Sequence, residues 1–315
     1  MKIAVVANYF GAPPPYFQLW LDSCAFNPQI DWLFYTDISA AEFNIPDNVT
    51  FKTGTLNSLK AKIQAKIPYP IRYEKAWDFC ALKPILGYVF EPELKGYDFW
   101  GWCDCDMVYG DLTPCVMACD NHDKVMPKGH LSFIRNSTHI NKFLAEHTLT
   151  HKAISIDECG LPCYDEVGVP EVILPELGAR QHNGIPFVNT ACRPGHFVLD
   201  DVAALQSKLG LEGNGSLPFI ATWHNGKMVC HFALPTREVR RIEIAYFHFF
   251  RREMCPVAER LTSGHHYLIV PNEIREYDGH ELSYGEIRHL DRFRIHWQYW
   301  RNRVNKKLGH LNVFR

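Results

Sequence analysis

Two aspartates one residue apart, Asp104 and Asp106, close the apolar half of the stretch DFWGWCDCDMVYGD at residues 98–111. Two thiols, Cys103 and Cys105, alternate with them. A divalent-cation site, a thiol nucleophile and a plain turn of solvated acids are the chemistries open to such a stretch. On an extended strand, residues 104 and 106 project to the same side. Where the strand ends, both carboxylates reach one cation, and hard ions such as Mg²⁺ or Mn²⁺ take such oxygens together with substrate phosphates. Zinc fits less well. The pairs Cys103/Cys105, Cys115/Cys119 and Cys159/Cys163 do not have zinc spacing, and cysteines like these commonly serve as small buried hydrophobes. Alternation turns Cys105 away from the acids and into the core.

The elements that must position this pair are legible from hydrophobic patterning. KIAVVANYFG (2–11) reads as a buried first strand closed by Gly11 and the prolines Pro13 to Pro15. YFQLWLDSCAFNP (16–28) has helical spacing, IDWLFYTD (30–37) is a second buried strand ending at Asp37, and NVTFKTGT (48–55) is a third. LNSLKAKIQAKI (56–67) is an amphipathic helix. KAWDFCALKPILGYVF (75–90) reads as helical with a kink or second start at Pro84, and Asp98 to Met107 reads as the fourth strand. This alternation implies an α/β fold whose mostly parallel central sheet is flanked by helices. Ligands of such sheets collect at the carboxyl ends of the strands, where Asp37, Asp104 and Asp106 all fall.

The second half is less regular. HLSFIRNSTHINKFL (130–144) suggests strand, turn and helix, and residues 155–195 read as loops with short strands. FIATWHNGKMVCHF (219–232) is a hairpin with Asn225-Gly226 as a type I′ turn. RIEIAYFHFFRR (241–252) reads as one strand ending in basic residues, and the chain from about residue 285 reads as a helix.

Composition narrows the class of function. The chain has 315 residues, 47% of them hydrophobic and 13% aromatic, which suits a sizeable core and excludes disorder. A formal charge of −2 provides no global attraction for nucleic acid. No signal peptide or membrane span is expected. Eleven scattered cysteines read as reduced thiols of a cytosol rather than a disulfide framework.

The stretch YDFWGWCDCDMVYGDL (97–112) resembles the metal-binding region of a bacterial glycosyltransferase-like family of capsular-polysaccharide and lipopolysaccharide synthesis, which has the nucleotide-diphosphosugar (GT-A) fold. IAVVANYFG, YFQLWLDSCAFNP, DWLFYTD, CALKPILGYVF, GHLSFIRN and AYFHFFRREM are similar to further parts of that family, in the same order, over most of residues 1 to about 255. One departure is Ala81, where the family often has an Asp two residues before the Lys, with Asp78 nearby instead. The resemblance implies a transferase domain over residues 1–255 and an extension over 256–315 that ends in a basic aromatic helix. It also implies a sugar moved from a nucleotide-sugar donor to a surface-polysaccharide or lipid-linked glycan acceptor.

Roles for matching residues follow from the resemblance. Asp104 contacts the ribose, a metal-bound water or the metal, and Asp106 binds the Mn²⁺ or Mg²⁺ that bridges the donor diphosphate. Asp37 sits near the base or ribose, or is simply a turn residue. Lys83 reaches the diphosphate as a point charge or is a solvated helix lysine. His248 completes the metal site, although a lone His in an aromatic strand is most often a satisfied core residue. Arg251 and Arg252 suit a diphosphate or are surface charges. An inverting reaction needs a carboxylate base. The candidates are Asp157-Glu158 and Asp165-Glu166; the second pair resembles an acidic pair of the family, while either also reads as solvated loop acids.

The tail from Arg288 to Arg315 interleaves Phe293, Trp297, Tyr299 and Trp300 with eight arginines and lysines. It suits peripheral contact at the anionic inner face of a cell membrane, or a terminal helix packed on its domain. Two other classes remain in view. A haloacid-dehalogenase-like phosphatase needs its DxD in the first strand, whereas here three strands precede it. A non-catalytic carbohydrate-binding protein accounts for the aromatics but leaves the paired acids, Lys83 and His248 without a purpose.

Overall fold

The structure, a computed structural model, describes residues 1–71, 76–155, 164–190, 205, 208–209, 217–250, 254–256, 258–292 and 304. The chain divides into two units, each assembled from separate segments. The first takes Met1–Pro14, Cys24–Cys105 and Leu112–Ile185; the second takes Pro15–Ser23, Asp106–Asp111 and Pro186–Arg315.

The first unit opens with β1 (Ile3–Tyr9), whose first five residues are buried. A strand paired on both edges and covered on both faces reads as an unbroken apolar run, as IAVVA does. Helix α1 (Phe17–Ala25) passes from the second unit into the first. Strands β2 (Ile30–Thr36) and β3 (Val49–Thr53) follow. A capping box between Thr55 and Ser58 starts α2 (Leu56–Gln64), which buries Leu59 and Ile63, four residues apart on one face. Residues Ala76–Ile85 form a 3₁₀ helix containing Pro84, which has no N–H to donate, and α3 (Leu86–Val89) restarts just beyond it. Next come β4 (Phe99–Cys103) and β5 (Met107–Tyr109), the latter belonging to the second unit. The first unit continues with α4 (Thr113–Cys119), β6 (Lys124–Val125), β7 (Leu131–Arg135), α5 (Thr138–Glu146) and α6 (Thr148–Ser155). A π-helix at Tyr164–Ile173, α7 (Leu174–Glu176) and β8 (Gln181–His182) complete it.

These strands form a seven-stranded sheet in the order β3-β2-β1-β4-β7-β6-β8. The run β3-β2-β1-β4 is parallel, and β7 is antiparallel to both its neighbours. The protein is thus an α/β fold with a large, mostly parallel sheet. The chain builds outwards from β1 to β3 and then crosses back to place β4 on the other side of β1. That reversal lies between β1 and β4, whose last paired residues are Ala7 and Cys103, and ligands of open α/β sheets gather at such a point.

The second unit holds β9 (Val188–Asn189), β10 (Phe219–His224), β11 (Lys227–Ala233), β12 (Val239–Glu243), β13 (Tyr246–His248), β14 (Cys255–Pro256), β15 (His266–Val270), β16 (Glu273–Tyr277) and α8 (Tyr284–Leu290). One sheet runs β12-β11-β10-β15-β16-β14, with strands from both sides of residue 255, and a second runs β5-β13-β9. Asn225 and Gly226 join β10 to β11 with positive φ of 47° and 77°, the type I′ turn expected for Asn-Gly.

Four expectations change. Asp98 to Met107 is not one strand: β4 ends at Cys103, and Asp104-Cys105-Asp106 turns the chain out of one sheet and into another. The same-side argument for the two acids therefore lapses, because it requires an extended strand. RIEIAYFHFFRR likewise divides between β12 and β13, in different sheets. The region expected to be loops contains the π-helix, so Asp165 and Glu166 sit on a helix. Helix α8 ends at Leu290, and most of the expected basic aromatic helix, from Phe293 onwards, lies outside the described residues. Among the described residues no helix is long and apolar enough to cross a membrane.

Packing in the first unit leaves no room at Gly87. A Cβ there would stand 2.1 Å from Cε2 of Trp100, a fully buried ring whose Nε1 donates to Asn141 Oδ1 at 2.8 Å. Gly87→Ala is expected to destabilise by about 1–3 kcal/mol through overpacking. Gly285→Ala in α8 meets nothing within 4 Å and is expected to be neutral or to stabilise by a few tenths of a kcal/mol. Equilibrium urea unfolding of the two variants checks the contrast.

Candidate functional site

The chain leaves the first unit immediately after Cys105, so Asp104 is its side chain and Asp106 belongs to the second. Each is built into a polar cluster of its own unit.

In the first unit the Asp104 backbone N–H donates to the His130 carbonyl at 3.0 Å, which holds the residue against the start of β7. Its Oδ1 lies 2.6 Å from Nζ of Lys83. Lys83, on the 3₁₀ helix, is only 5% exposed, which overturns the reading of a solvated lysine. Its Nζ also stands 3.6 Å from Asp165 Oδ2 and donates to the Gly129 carbonyl at 3.1 Å. Trp102 Nε1 donates to the same carbonyl at 2.9 Å. A Cβ at Gly129 would fall 2.1 Å from Asp165 Oδ2, so a larger residue there displaces the Asp165 carboxylate from its place beside Lys83. The structure thus gathers Lys83, Asp104 and the adjacent pair Asp165-Glu166 from three separate stretches of sequence around one bare backbone segment.

Electrostatics divides the labour within this cluster. Burial opposes the Lys83 charge, but Asp104, Cys80 and Asp165 outweigh it and hold the ammonium well above the ordinary lysine range. Asp104 makes the short contact, so Lys83 is largely committed to it. Asp165 is pushed up by burial, pulled down by Lys83 and pushed up again by Asp104, with a net rise. Glu166 is raised by burial and by Asp165. Raised carboxylates are stronger bases than solvated ones, which suits proton abstraction.

In the second unit the Asp106 carbonyl accepts from the Phe249 N–H at 2.9 Å, beside the pairing of Met107 with His248. Asp106 Oδ1 lies 3.1 Å from Nε2 of His248. The other ring nitrogen, Nδ1, is 2.8 Å from Oδ1 of Asn189 on the neighbouring strand β9. An amide oxygen only accepts, so Nδ1 carries a hydrogen, and Nε2 meets the carboxylate as a donor in the protonated ring or as a lone pair in the neutral one. A lone pair facing a carboxylate oxygen is unfavourable unless a proton or cation lies with them. A ligating His whose second nitrogen is held by a carbonyl is the usual arrangement in metal centres.

Asp37 is not in either cluster. Its Oδ1 accepts from the N–H of Gly11 at 2.9 Å and so fastens the loop after β1, where Gly11 has φ of 92°. Arg251, Arg252, Asp157 and Glu158 lie outside the described residues. Sequence reading passed over Gly129, Trp102 and Asn189 as site residues. Gly129 and Trp102 lie within stretches noted for other reasons, and nothing local marks Asn189, because its partner is 59 positions away.

Residues 5–278 match a family of unknown function, DUF6625. The chain belongs to the DUF6625 family. No curated protein matches this DUF6625 sequence. Three solved glycosyltransferases resemble part of it. The first, GlyE of Streptococcus pneumoniae TIGR4, is 12% identical over 58% of this chain, with a TM-score of 0.36. The chain spans 45% of the length of GlyE. A glycosyltransferase involved in glycosylating the major capsid of PBCV-1 is 10% identical over 60% of this chain and 85% of its own, with a TM-score of 0.36. The galactosyltransferase LgtC, in complex with donor and acceptor sugar analogues, is 14% identical over 58% and 73%, with a TM-score of 0.34.

One further side chain, near the first cluster, was not foreseen. Lys124, on β6, is fully buried and donates to the Met126 carbonyl. Burial and the nearby Lys128 lower it from 10.5 to about 7, against the pull of Asp165. The unfolded chain keeps this proton up to the ordinary value while the folded chain releases it from about 7, so between the two the unfolded state binds more protons and stability rises with pH. Lys124→Met removes the buried ammonium. The variant is expected to be more stable than wild type by on the order of 2–4 kcal/mol near pH 7, and the difference should shrink as the pH approaches 10. Urea unfolding across that range measures it; a pH-independent difference would contradict the assignment.

Proposed function

We propose that this chain is a metal-dependent glycosyltransferase that moves a sugar from a nucleotide-sugar donor to a surface-polysaccharide or lipid-linked glycan acceptor. The observation that carries this reading is the Asp106–His248–Asn189 array, in which a carboxylate and an imidazole nitrogen face each other and an amide oxygen holds the other ring nitrogen. Asp104, one residue from Asp106 along the chain, offers a second carboxylate of the kind a divalent cation takes. Two oxygen donors and one nitrogen suit Mn²⁺, with Mg²⁺ as the alternative. When bound, the cation neutralises the charge that collects on the departing nucleoside diphosphate.

The chain's own residues supply the rest. Lys83 holds Asp104 in place and sets a fixed positive charge at the carboxyl end of β4. Asp165, with its raised affinity for protons, is the proposed base towards the acceptor hydroxyl, with Glu166 beside it. Asp37 keeps the β1 loop shaped for the base or ribose, and Arg251 pairs with the diphosphate. Residues 1–255 carry this chemistry. The basic aromatic tail of the extension rests on the inner face of the cell membrane, which suits a lipid-linked acceptor. A first-strand phosphatase motif is not supported, since Asp104 follows the fourth strand.

Calorimetric titration with UDP, GDP and CMP, with and without Mn²⁺, tests the reading. One nucleotide is expected to bind only with Mn²⁺, and Asp106→Ala and His248→Ala are expected to abolish that binding. Asn189→Ala, which releases the imidazole but leaves every donor in place, is expected to weaken Mn²⁺ by about 10–100-fold. Nucleotide binding indifferent to Mn²⁺ and to Asp106→Ala would defeat the proposal.

A further inference from the structure

Two histidines meet across neighbouring strands within the six-stranded sheet of the second unit. Strands β10 and β15 are antiparallel and place His224 directly opposite His266. The two imidazoles lie parallel within 4° with centroids 3.9 Å apart. Directly opposed residues on antiparallel strands are the closest side-chain neighbours a sheet offers, so two imidazoles there can serve one ion.

The tautomer of His224 is already set for this. Its Nδ1 lies 3.1 Å from the His265 carbonyl, which only accepts, so Nδ1 carries the hydrogen and Nε2 the lone pair. That lone pair meets the Asn225 amide Nδ2 at 3.1 Å, a neutral donor that an ion can displace. A ligating His whose other nitrogen is bonded to a backbone carbonyl is the common pattern at metal centres. Beside His266 the chain turns through Gly279, with φ of 80°, and a Cβ there would come 2.7 Å from the His266 ring. Gly279 therefore leaves the ring its space. The neighbouring His280 is already committed: Asp278 and Glu286 bind its two ring nitrogens and raise its proton affinity, which removes it as a ligand.

We infer that His224 and His266 together bind one borderline transition-metal dication, of the class Zn²⁺, Ni²⁺ or Cu²⁺, with water completing the coordination. Imidazole pairs favour these ions, whereas Mn²⁺ and Mg²⁺ prefer oxygen donors. The two imidazoles turn about their Cβ–Cγ bonds to aim one nitrogen each at the ion. Bound there, the ion ties β10 to β15 and stabilises the second unit.

The full chain is titrated with Zn²⁺ in competition with a chromophoric chelator, and with Cu²⁺ followed by electron paramagnetic resonance. Wild type is expected to bind Zn²⁺ with a rise in Tm, and Cu²⁺ is expected to show hyperfine coupling to two nitrogens. In His224→Gln and in His266→Gln, either sufficing if the other fails to fold, the Zn²⁺ affinity of this site is expected to fall by about tenfold or more, with the Tm rise and the second nitrogen coupling lost. His265→Ala and His248→Ala are expected to retain all three. Unchanged Zn²⁺ binding in both Gln variants, or its loss in His248→Ala alone, would overturn the inference.

Discussion

Lys83 carries its charge inside the protein, at 5% exposure. A buried ammonium costs several kcal/mol unless its partners are well placed, and removing one partner leaves the cost uncompensated. Asp104, Asp165 and the Gly129 carbonyl are those partners. Each comes from a different element: the bend after β4, the π-helix and the approach to β7. The 3₁₀ helix that carries Lys83, the side-chain-free backbone at Gly129 and the unusual helix that carries Asp165 are all conditions of one ion-pair geometry.

A cluster with two carboxylates and one ammonium cannot satisfy both acids equally. The shorter contact goes to Asp104, so Asp165 keeps a carboxyl that holds its proton more tightly than usual. The same low-dielectric surroundings that make Lys83 depend on Asp104 make Asp165 a stronger base. The second unit follows the same logic with different chemistry: Asn189 holds His248 Nδ1 and so turns Nε2 towards Asp106. The bend at Asp104-Cys105-Asp106 joins the two clusters through the chain itself.

Much of the first unit was legible because its signals are local. IAVVANY and IDWLFYT are apolar runs that became β1 and β2 within a residue or two of the expected limits, and FWGWC became β4 with its start as expected. LNSLKAKIQ became α2, and Asn225-Gly226 turned the β10–β11 hairpin. The errors share a cause. Both WCDCDMVY and RIEIAYFH continue a strand-like composition through a point where the chain changes sheets. Periodicity reports that a residue is extended and half-buried, not which sheet it has joined. The π-helix was missed because a Pro- and Gly-bearing segment has no helical stripe to read.

By itself the sequence determined the alternation of strands and helices and the carboxylate pair at the end of the fourth strand. These follow from residue type and spacing over a handful of positions. Tertiary structure alone decided what each carboxylate faces. Asp106 meets an imidazole 142 positions further along, and Asp104 meets a lysine that composition marks as a surface residue. Those pairings depend on strand order and register, which bring distant segments together and withdraw water from them, and both effects set proton affinities that no local pattern encodes.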